Sequence, residues 1–355
     1  MNTRKLERLR ELMHAQHVDS VLLNRADNFA WLSDGAESHI NIATDYGAAA
    51  LLVTSGKRYV IANNIEAPRL QQSDTLADWE FVVGPWHEGQ TRLVQKVAVG
   101  VLAADSPYPG AQDLADQIVP LRFRLDELEQ ERFRHVGAAT GRAVQNAARA
   151  VKPGMSENQI AGLIVAHAYA NEVTPIVVLV AADERVFKFR HPLPTERKLE
   201  RYAMLVLCGR RWGLVASATR LIHRGKIADE VRRKADACAA VDAAFIRATQ
   251  PGVTLADVFQ IGVRAYAEHG FADEWRQHHQ GGLAGYQPRE RLATPTATER
   301  IEGNQAFAWN PSIAGTKSED TILLSDKGTE IVSQVGDWPC TEVDGIRRPD
   351  ILQWE

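Results

Sequence analysis

Apolar residues follow two different periods in the first third of the chain. Among the charged residues 4–14 an apolar residue recurs every third or fourth position, which predicts an amphipathic helix. Five short apolar runs predict strands: 18–23, 48–54, 58–62, 79–83 and 97–102. Ser55-Gly56 separates the second run from the third and predicts a hairpin. Because helix and strand patterns alternate, we predict an α/β domain over residues 1–124.

A strongly charged segment opens the second part of the chain. Residues 125–134 are rich in acidic and basic side chains and predict the start of a long helix. That helix is expected to end at Pro153-Gly154. Ser156 and Gln159 then form a capping-box pattern for the next helix. We place a second domain at residues 125–355.

The helix, Pro-Gly break, Ser/Thr cap and Ala/Tyr-bearing helix occur twice in this domain. The Pro-Gly steps, at Pro153-Gly154 and Pro251-Gly252, lie 98 residues apart. Strand-like runs follow each copy: 175–182 and 203–208, then 306–309 and 321–324. The repeat predicts two related α/β halves facing each other across a cleft. The alternative is coincidence, since Pro-Gly helix breaks are common.

Composition narrows the class of protein. The net charge is −4 and no basic block occurs, which argues against a nucleic-acid or membrane-surface partner. The three cysteines are odd in number and widely spaced, which indicates a reducing compartment. No signal-peptide pattern opens the chain, and no apolar run reaches the roughly 18 residues of a membrane span. We therefore expect a cytoplasmic protein.

Four short motifs follow the repeats: Ala216-Ser217-Ala218-Thr219-Arg220, Gly281-Gly282-Leu283-Ala284-Gly285, Phe307-Ala308-Trp309-Asn310-Pro311 and Glu319-Asp320-Thr321. With them the chain resembles the pita-bread family of methionine aminopeptidase, proline-specific aminopeptidase, prolidase and creatinase. The resemblance covers nearly the whole chain. It implies an α/β (α+β) protein in which a creatinase/prolidase-like N-terminal domain precedes a pita-bread domain with a pseudo-twofold internal repeat.

The resemblance also identifies where metal ligands would stand. Family enzymes hold two divalent metals with two aspartates, one histidine and two glutamates, because two cations about 4 Å apart need several anionic oxygens. Allowing for a one-residue deletion, the five positions fall at Leu207, Ser217, Gly282, Asn310 and Glu319. Only Glu319 keeps a carboxylate. We therefore expect no metal, no other cofactor and no ordinary metallo-aminopeptidase.

A histidine offers a way to hydrolyse a C–N bond without metal. Creatinase implies a catalytic histidine on a loop shortly before the first aspartate position, and His191 lies 16 residues before Leu207. By this resemblance His191 is a general acid/base, while Glu319 orients water or binds a cationic group. The alternatives are an exposed loop histidine and a carboxylate paired with an arginine such as Arg220.

Residues in or beside the motifs are candidates for binding substrate: His278, His279, Arg289, Glu290, Asn310, Arg220 and Trp309. Arg289 stands where the family has a histidine, and its planar guanidinium suits a carboxylate. The alternatives are surface positions for the two histidines, a surface ion pair for Arg289 and Glu290, and core packing for Trp309. Cys208 follows an apolar run and is expected to be a small buried residue rather than a nucleophile.

Three functions stay open. The first is a metal-independent, creatinase-like hydrolase of a small amidine, amide or peptide-like substrate. The second is a non-catalytic module that binds ligands in the old peptide cleft. The third is an atypical mononuclear metallopeptidase using Glu319, Asn310, Ser217 and a histidine. Each implies a small-molecule or short-peptide partner, and the prolidase-like layout suggests a homodimer.

Overall fold

The computed structural model describes residues 3–355. The chain divides into two compact units, one up to residue 123 and one from residue 124 onward. Within the described range, no helix combines the length and apolar character needed to cross a bilayer.

The first unit is a mixed six-stranded sheet with short helices. Its helices are α1 (Thr3–Ala15), α2 (Ala26–Leu32), α3 (Ala67–Leu70), α4 (Thr91–Val97) and α5 (Ala115–Ile118). Its strands are β1 (Ser20–Arg25), β2 (Tyr46–Thr54), β3 (Arg58–Asn63), β4 (Glu80–Gly84), β5 (Leu102–Ala104) and β6 (Gln112–Asp113). The order is β4-β3-β2-β1-β5-β6. Strands β1, β2 and β3 pair antiparallel, and the outer pairs are parallel.

Local sequence patterns account for most of this unit. The N-terminal helix is confirmed, with Leu9 and Met13 buried. The predicted hairpin is confirmed by the antiparallel pairing of β2 with β3. The strand predicted at 97–102 is wrong, because α4 extends to Val97 and the strand begins only at Leu102. Gly100, at φ +55°, turns the chain between them.

The second unit contains two pairs of helices. They are α6 (Glu127–Ala150), α7 (Glu157–Ala170), α8 (Glu184–Lys188), α9 (Asp229–Ala248) and α10 (Leu255–Glu268), with α8 a short turn outside the pairs. Three helices begin with complete capping boxes, at Asp126, Ser156 and Thr254. In each box two backbone N–H groups that lack a helical partner are satisfied. The box at Ser156 confirms the sequence prediction.

Its strands are β7 (Thr174–Ala182), β8 (Tyr202–Arg211), β9 (Leu214–Arg224), β10 (Gly281–Ala284), β11 (Arg291–Leu292), β12 (Gln305–Trp309), β13 (Ser312–Ile313), β14 (Thr316–Lys317), β15 (Asp320–Ser325), β16 (Gly328–Ile331), β17 (Cys340–Val343), β18 (Ile346–Pro349) and β19 (Leu352–Trp354). One sheet has the order β19-β9-β8-β7 and another the order β11-β10-β12-β15-β16, beside two short hairpins.

The two halves of this unit are built alike, as the repeat predicted. Helices α6 and α7 pack on each other and on strands β7–β9, while α9 and α10 pack on each other and α9 also contacts β12. The capping residues Ser156 and Thr254 make equivalent isolated bridges, to Lys198 and Arg300. In the first half, buried Ile160, Ile164 and Leu205 belong to one core between helices and sheet. These cores fix the strands from which the candidate site projects.

Candidate functional site

Neighbouring strands β8 and β9 present Cys208 and Ser217 side by side. The two residues are register partners, and the Cys208 Sγ lies 3.2 Å from the Ser217 Oγ. Leu207 belongs instead to the buried apolar core between this sheet and its helices. Because alternate residues of a strand face opposite sides, Cys208 and not Leu207 shares the face of Ser217.

Glu319 is held by two cations at the centre of the site. Its Oε2 lies 2.8 Å from the Lys317 Nζ and accepts a 2.6 Å hydrogen bond from the Thr219 hydroxyl. Its Oε1 accepts a 3.0 Å hydrogen bond from the Arg289 Nη2. Arg289 also donates to the Ser217 Oγ at 3.3 Å. The side chains of Glu319 and Lys317 are only 3% and 4% exposed, so the charges are held away from water.

The charges of these three residues decide what the site attracts. Burial alone would raise the pKa of the Glu319 carboxyl, but Lys317 and Arg289 together lower it to about 2. One anion between two cations leaves a net charge of about +1. Because Lys317 and Arg289 already compensate the charge of Glu319, this arrangement does not favour the expected binding of a cationic group.

Three histidines gather in the same unit. His191 lies on the loop after α8, and His278 and His279 follow the 3₁₀ turn Glu274–Gln277. The Nε2 atoms of His191 and His278 are 3.0 Å apart, and the His278 Nδ1 lies 3.5 Å from the Ser312 Oγ. The structure thus brings His191 together with the adjacent pair His278 and His279, although 87 residues separate His191 from His278.

Ion pairs and an amide hold the histidine-bearing loops in place. Arg190, next to His191, forms an ion pair with Glu274 in the 3₁₀ turn. Glu274 also accepts a hydrogen bond from the Ala314 N–H. The buried Gln280 donates its side-chain amide to the His278 carbonyl. The two loops are therefore bound to each other and to the turn between β13 and β14.

All three histidines are biased towards the neutral form. Burial and the positive charge of Lys317 lower the pKa of His278 to about 2. Burial and Arg289 lower the pKa of His279 to about 4. Burial and Lys317 also lower the pKa of His191, although Glu319 opposes this. These influences favour the neutral form of all three histidines at physiological pH.

Two of the predicted ligand positions have special surroundings. Asn310 is 2% exposed, and its Oδ1 has no hydrogen-bond partner among the residues described. Gly282 has φ +152°, and a Cβ there would stand 2.2 Å from the Arg291 carbonyl oxygen. A histidine therefore does not fit at position 282 with this backbone, because the paired strand β11 occupies the space.

Three predicted substrate-binding residues lie elsewhere. Arg220 is 1% exposed and pairs with Asp320 at 3.0 Å, and not with Glu319 as the alternative for that carboxylate proposed. Trp309 is fully buried, stacks on Phe245 and donates to a threonine hydroxyl, which confirms the core alternative.

Glu290 is bound to the backbone of a nearby residue. It is 5% exposed and accepts a hydrogen bond from the Tyr286 N–H. The alternative of a surface ion pair for Arg289 and Glu290 is wrong for Arg289, since Arg289 pairs with Glu319.

The residues present do not fit a two-metal centre. The resemblance requires five ligands, yet the oxygens of the one remaining carboxylate are taken by Lys317, Arg289 and Thr219. Both cations would repel a metal ion at this carboxylate. Sequence reasoning missed Lys317, although its place two residues before Glu319 was a visible signal. It also missed Cys208, because the residues before it are all apolar and do not show which side chains of the strand face the core.

Comparisons with known proteins agree with this architecture. Residues 5–111 match the creatinase/prolidase N-terminal domain. An uncharacterized peptidase from Staphylococcus epidermidis is 22% identical over 236 residues, which are 63% of this chain and 66% of that protein, just under two thirds of its length.

Solved structures show the same fold. The prolidase from Pyrococcus horikoshii superposes with a TM-score of 0.81 at 17% identity, covering 94% of this chain and 98% of that one. The Xaa-Pro dipeptidase from Bacillus anthracis gives 0.79 at 15% identity, covering 99% of each chain. These similarities confirm the predicted creatinase-like N-terminal domain and pita-bread domain. Residues 131–331 match metallopeptidase family M24, and the chain therefore belongs to this family of hydrolases that act on peptide C–N bonds.

Proposed function

We propose that this chain is a metal-independent hydrolase of a small amide or short peptide, with His191 as general acid/base. The observation that carries the proposal is that two buried cationic side chains stand where the family enzymes hold metal ions. Lys317 and Arg289 flank the one surviving carboxylate at 2.8 and 3.0 Å and give the site its positive charge. Fixed cations in a water-poor site can stabilise an oxyanion as a metal would.

The hydrogen bonds favour one protonation pattern. If the His278 Nδ1–H faces the Ser312 Oγ, the His278 Nε2 carries a lone pair and accepts the Nε2–H of His191. The basic atom of His191 is then its Nδ1. Since His278 is much the weaker base, its function is to fix the tautomer and orientation of His191.

The reaction then needs no metal. The His191 Nδ1 takes a proton from water as the oxygen attacks the substrate carbonyl. The negative charge on the carbonyl oxygen is stabilised by Lys317 and Arg289, and Glu319 holds these cations in place. The His191 imidazolium next gives its proton to the leaving nitrogen as the C–N bond breaks. The site charge favours a neutral or anionic substrate over a cationic amidine.

The prolidase and Xaa-Pro dipeptidase neighbours suggest Xaa-Pro dipeptides as first substrates. Turnover of a dipeptide set, including Xaa-Pro, is measured in excess EDTA. We expect activity to survive, and His191→Ala to lose at least about a hundredfold in kcat. His269→Ala, at an exposed histidine after α10, is the matched control.

Activity that disappears in EDTA and returns with metal would contradict metal independence. A fully active His191→Ala variant would exclude the proposed base. Saturable dipeptide binding without turnover would favour the non-catalytic binding module. The mononuclear alternative has less support, because the charge of Glu319 already compensates Lys317 and Arg289. We also propose a cytoplasmic homodimer; the three cysteines are unpaired, which supports a reducing compartment.

A further inference from the structure

We propose that His191, His278 and His279 bind one transition-metal ion of the Zn²⁺ class. These residues are not among the five positions of the two-metal set. One ring nitrogen from each lies within 4.8 Å of those of the other two. Three histidines with an open fourth position form a known type of Zn²⁺ site.

The distances require only small movements. Tetrahedral coordination with Zn–N bonds of about 2.0–2.1 Å puts the ligand nitrogens about 3.3 Å apart. The Nε2 atoms of His191 and His278 are already 3.0 Å apart. His191 is exposed on its loop, so its ring can adjust. The ion would replace the hydrogen bond between these two rings.

The surroundings prepare the histidines as ligands. The Ser312 Oγ lies near the His278 Nδ1, the outer-sphere contact that orients a ligand whose Nε2 faces a metal. His279 carries a buried Nδ1 that has no hydrogen-bond partner anywhere in residues 3–355. Neutral imidazoles bind metal without first losing a proton, and these rings are held neutral.

The charge nearby determines which ions bind. The charge of Lys317 acts on all three histidines, and that of Arg289 acts on His191 and His279. Both charges lower the affinity of the cluster for any cation. No carboxylate belongs to the cluster found in the described residues. Mg²⁺ and Ca²⁺ prefer oxygen ligands and are therefore excluded, whereas Zn²⁺ and Co²⁺ accept imidazole.

Metal binding does not depend on the proposed hydrolysis. One consequence does rest on it: an ion that takes the lone pair of His191 would inhibit a reaction that uses this histidine as a base. Binding without activity would thus leave the metal site intact and count only against the hydrolase.

The test is isothermal titration of chelator-treated, full-length protein with Zn²⁺, using protein without a polyhistidine tag. We expect one equivalent to bind and Mg²⁺ to give no saturable signal. Co²⁺ should give the visible absorption of a tetrahedral nitrogen-ligated ion. His278→Ala and His191→Ala should each weaken Zn²⁺ binding at least about tenfold, the loss that even outer-sphere substitutions cause. His269→Ala should bind like the wild type.

Two results would overturn the proposal. One is wild-type protein that binds no Zn²⁺ saturably. The other is binding that survives unchanged in both His278→Ala and His191→Ala, which would place the ion elsewhere. Unchanged thermal melting of the apo variants ensures that lost binding reflects lost ligands and not lost structure. His279→Ala gives an independent check on the third ligand, with the same expected loss.

Discussion

Substitution of Glu319 by glutamine tests whether the carboxylate and its two cations form one structural unit. The change removes one negative charge and keeps the side-chain shape. Lys317 and Arg289, with side chains 4% and 11% exposed, would then face each other without an anion. Removing one partner of a buried ion pair costs about 3–5 kcal/mol, because the remaining charge stays out of water. We expect the free energy of unfolding to fall by that amount at pH 7.

A matched control comes from the surface of the same unit. Glu330 pairs with Arg134 at 2.7 Å, but the two side chains are 38% and 37% exposed. Water screens such pairs, so Glu330→Gln should cost no more than about 1 kcal/mol. The double variant Lys317→Met/Glu319→Gln removes one of the stranded cations. It should recover about 0.5–3 kcal/mol relative to Glu319→Gln, the usual range for coupled neighbours.

The assay is urea unfolding of the full-length chain, with stability changes taken from midpoint shifts at constant slope. The effect also has a defined pH dependence. The pKa of Glu319 is lowered to about 2 from a usual 4.5, so its contribution is complete above about pH 4.5 and is lost as the pH falls towards 2. If Glu319→Gln costs no more than Glu330→Gln, the view that this carboxylate organises the site is wrong.

Three further predictions address the backbone, the histidines and assembly. Gly282→His should lower the free energy of unfolding by about 1–3 kcal/mol in urea, because its Cβ would meet the Arg291 carbonyl. The variant protein should bind no second metal ion. Gly162→His is the control and should cost far less, because nothing lies within 4 Å of a Cβ at that position. Stability should rise from about pH 2, the pKa of His278 in the folded protein, to its usual 6.5 and then level off, because in this range His278 is neutral when folded and protonated when unfolded. His278→Gln should flatten that rise, and an unchanged slope would contradict the low pKa of His278. Light scattering should show a homodimer, and a clean monomer would refute that proposal.

The sequence by itself determined most of the architecture. Helical spacing of apolar residues, the capping box at Ser156, the Ser/Thr cap at Thr254 and the Pro-Gly breaks are local signals, and helices begin where they predicted. The prediction that ligand positions have been replaced also came from the sequence, because Ser217, Gly282 and Asn310 stand in recognisable motifs. A strand such as the one predicted at 97–102 was misplaced because a single turn glycine, Gly100, changes where pairing begins.

Tertiary structure alone decided which side chains meet. The sequence could not show whether Leu207 or Cys208 faces the site, since a shift of one residue moves a strand's side chains to the opposite face. It likewise could not show that Glu319 is bound by Lys317 and by Arg289, 30 residues away. Charge compensation depends on distance in space and on burial, and neither quantity is encoded in the order of residues along the chain.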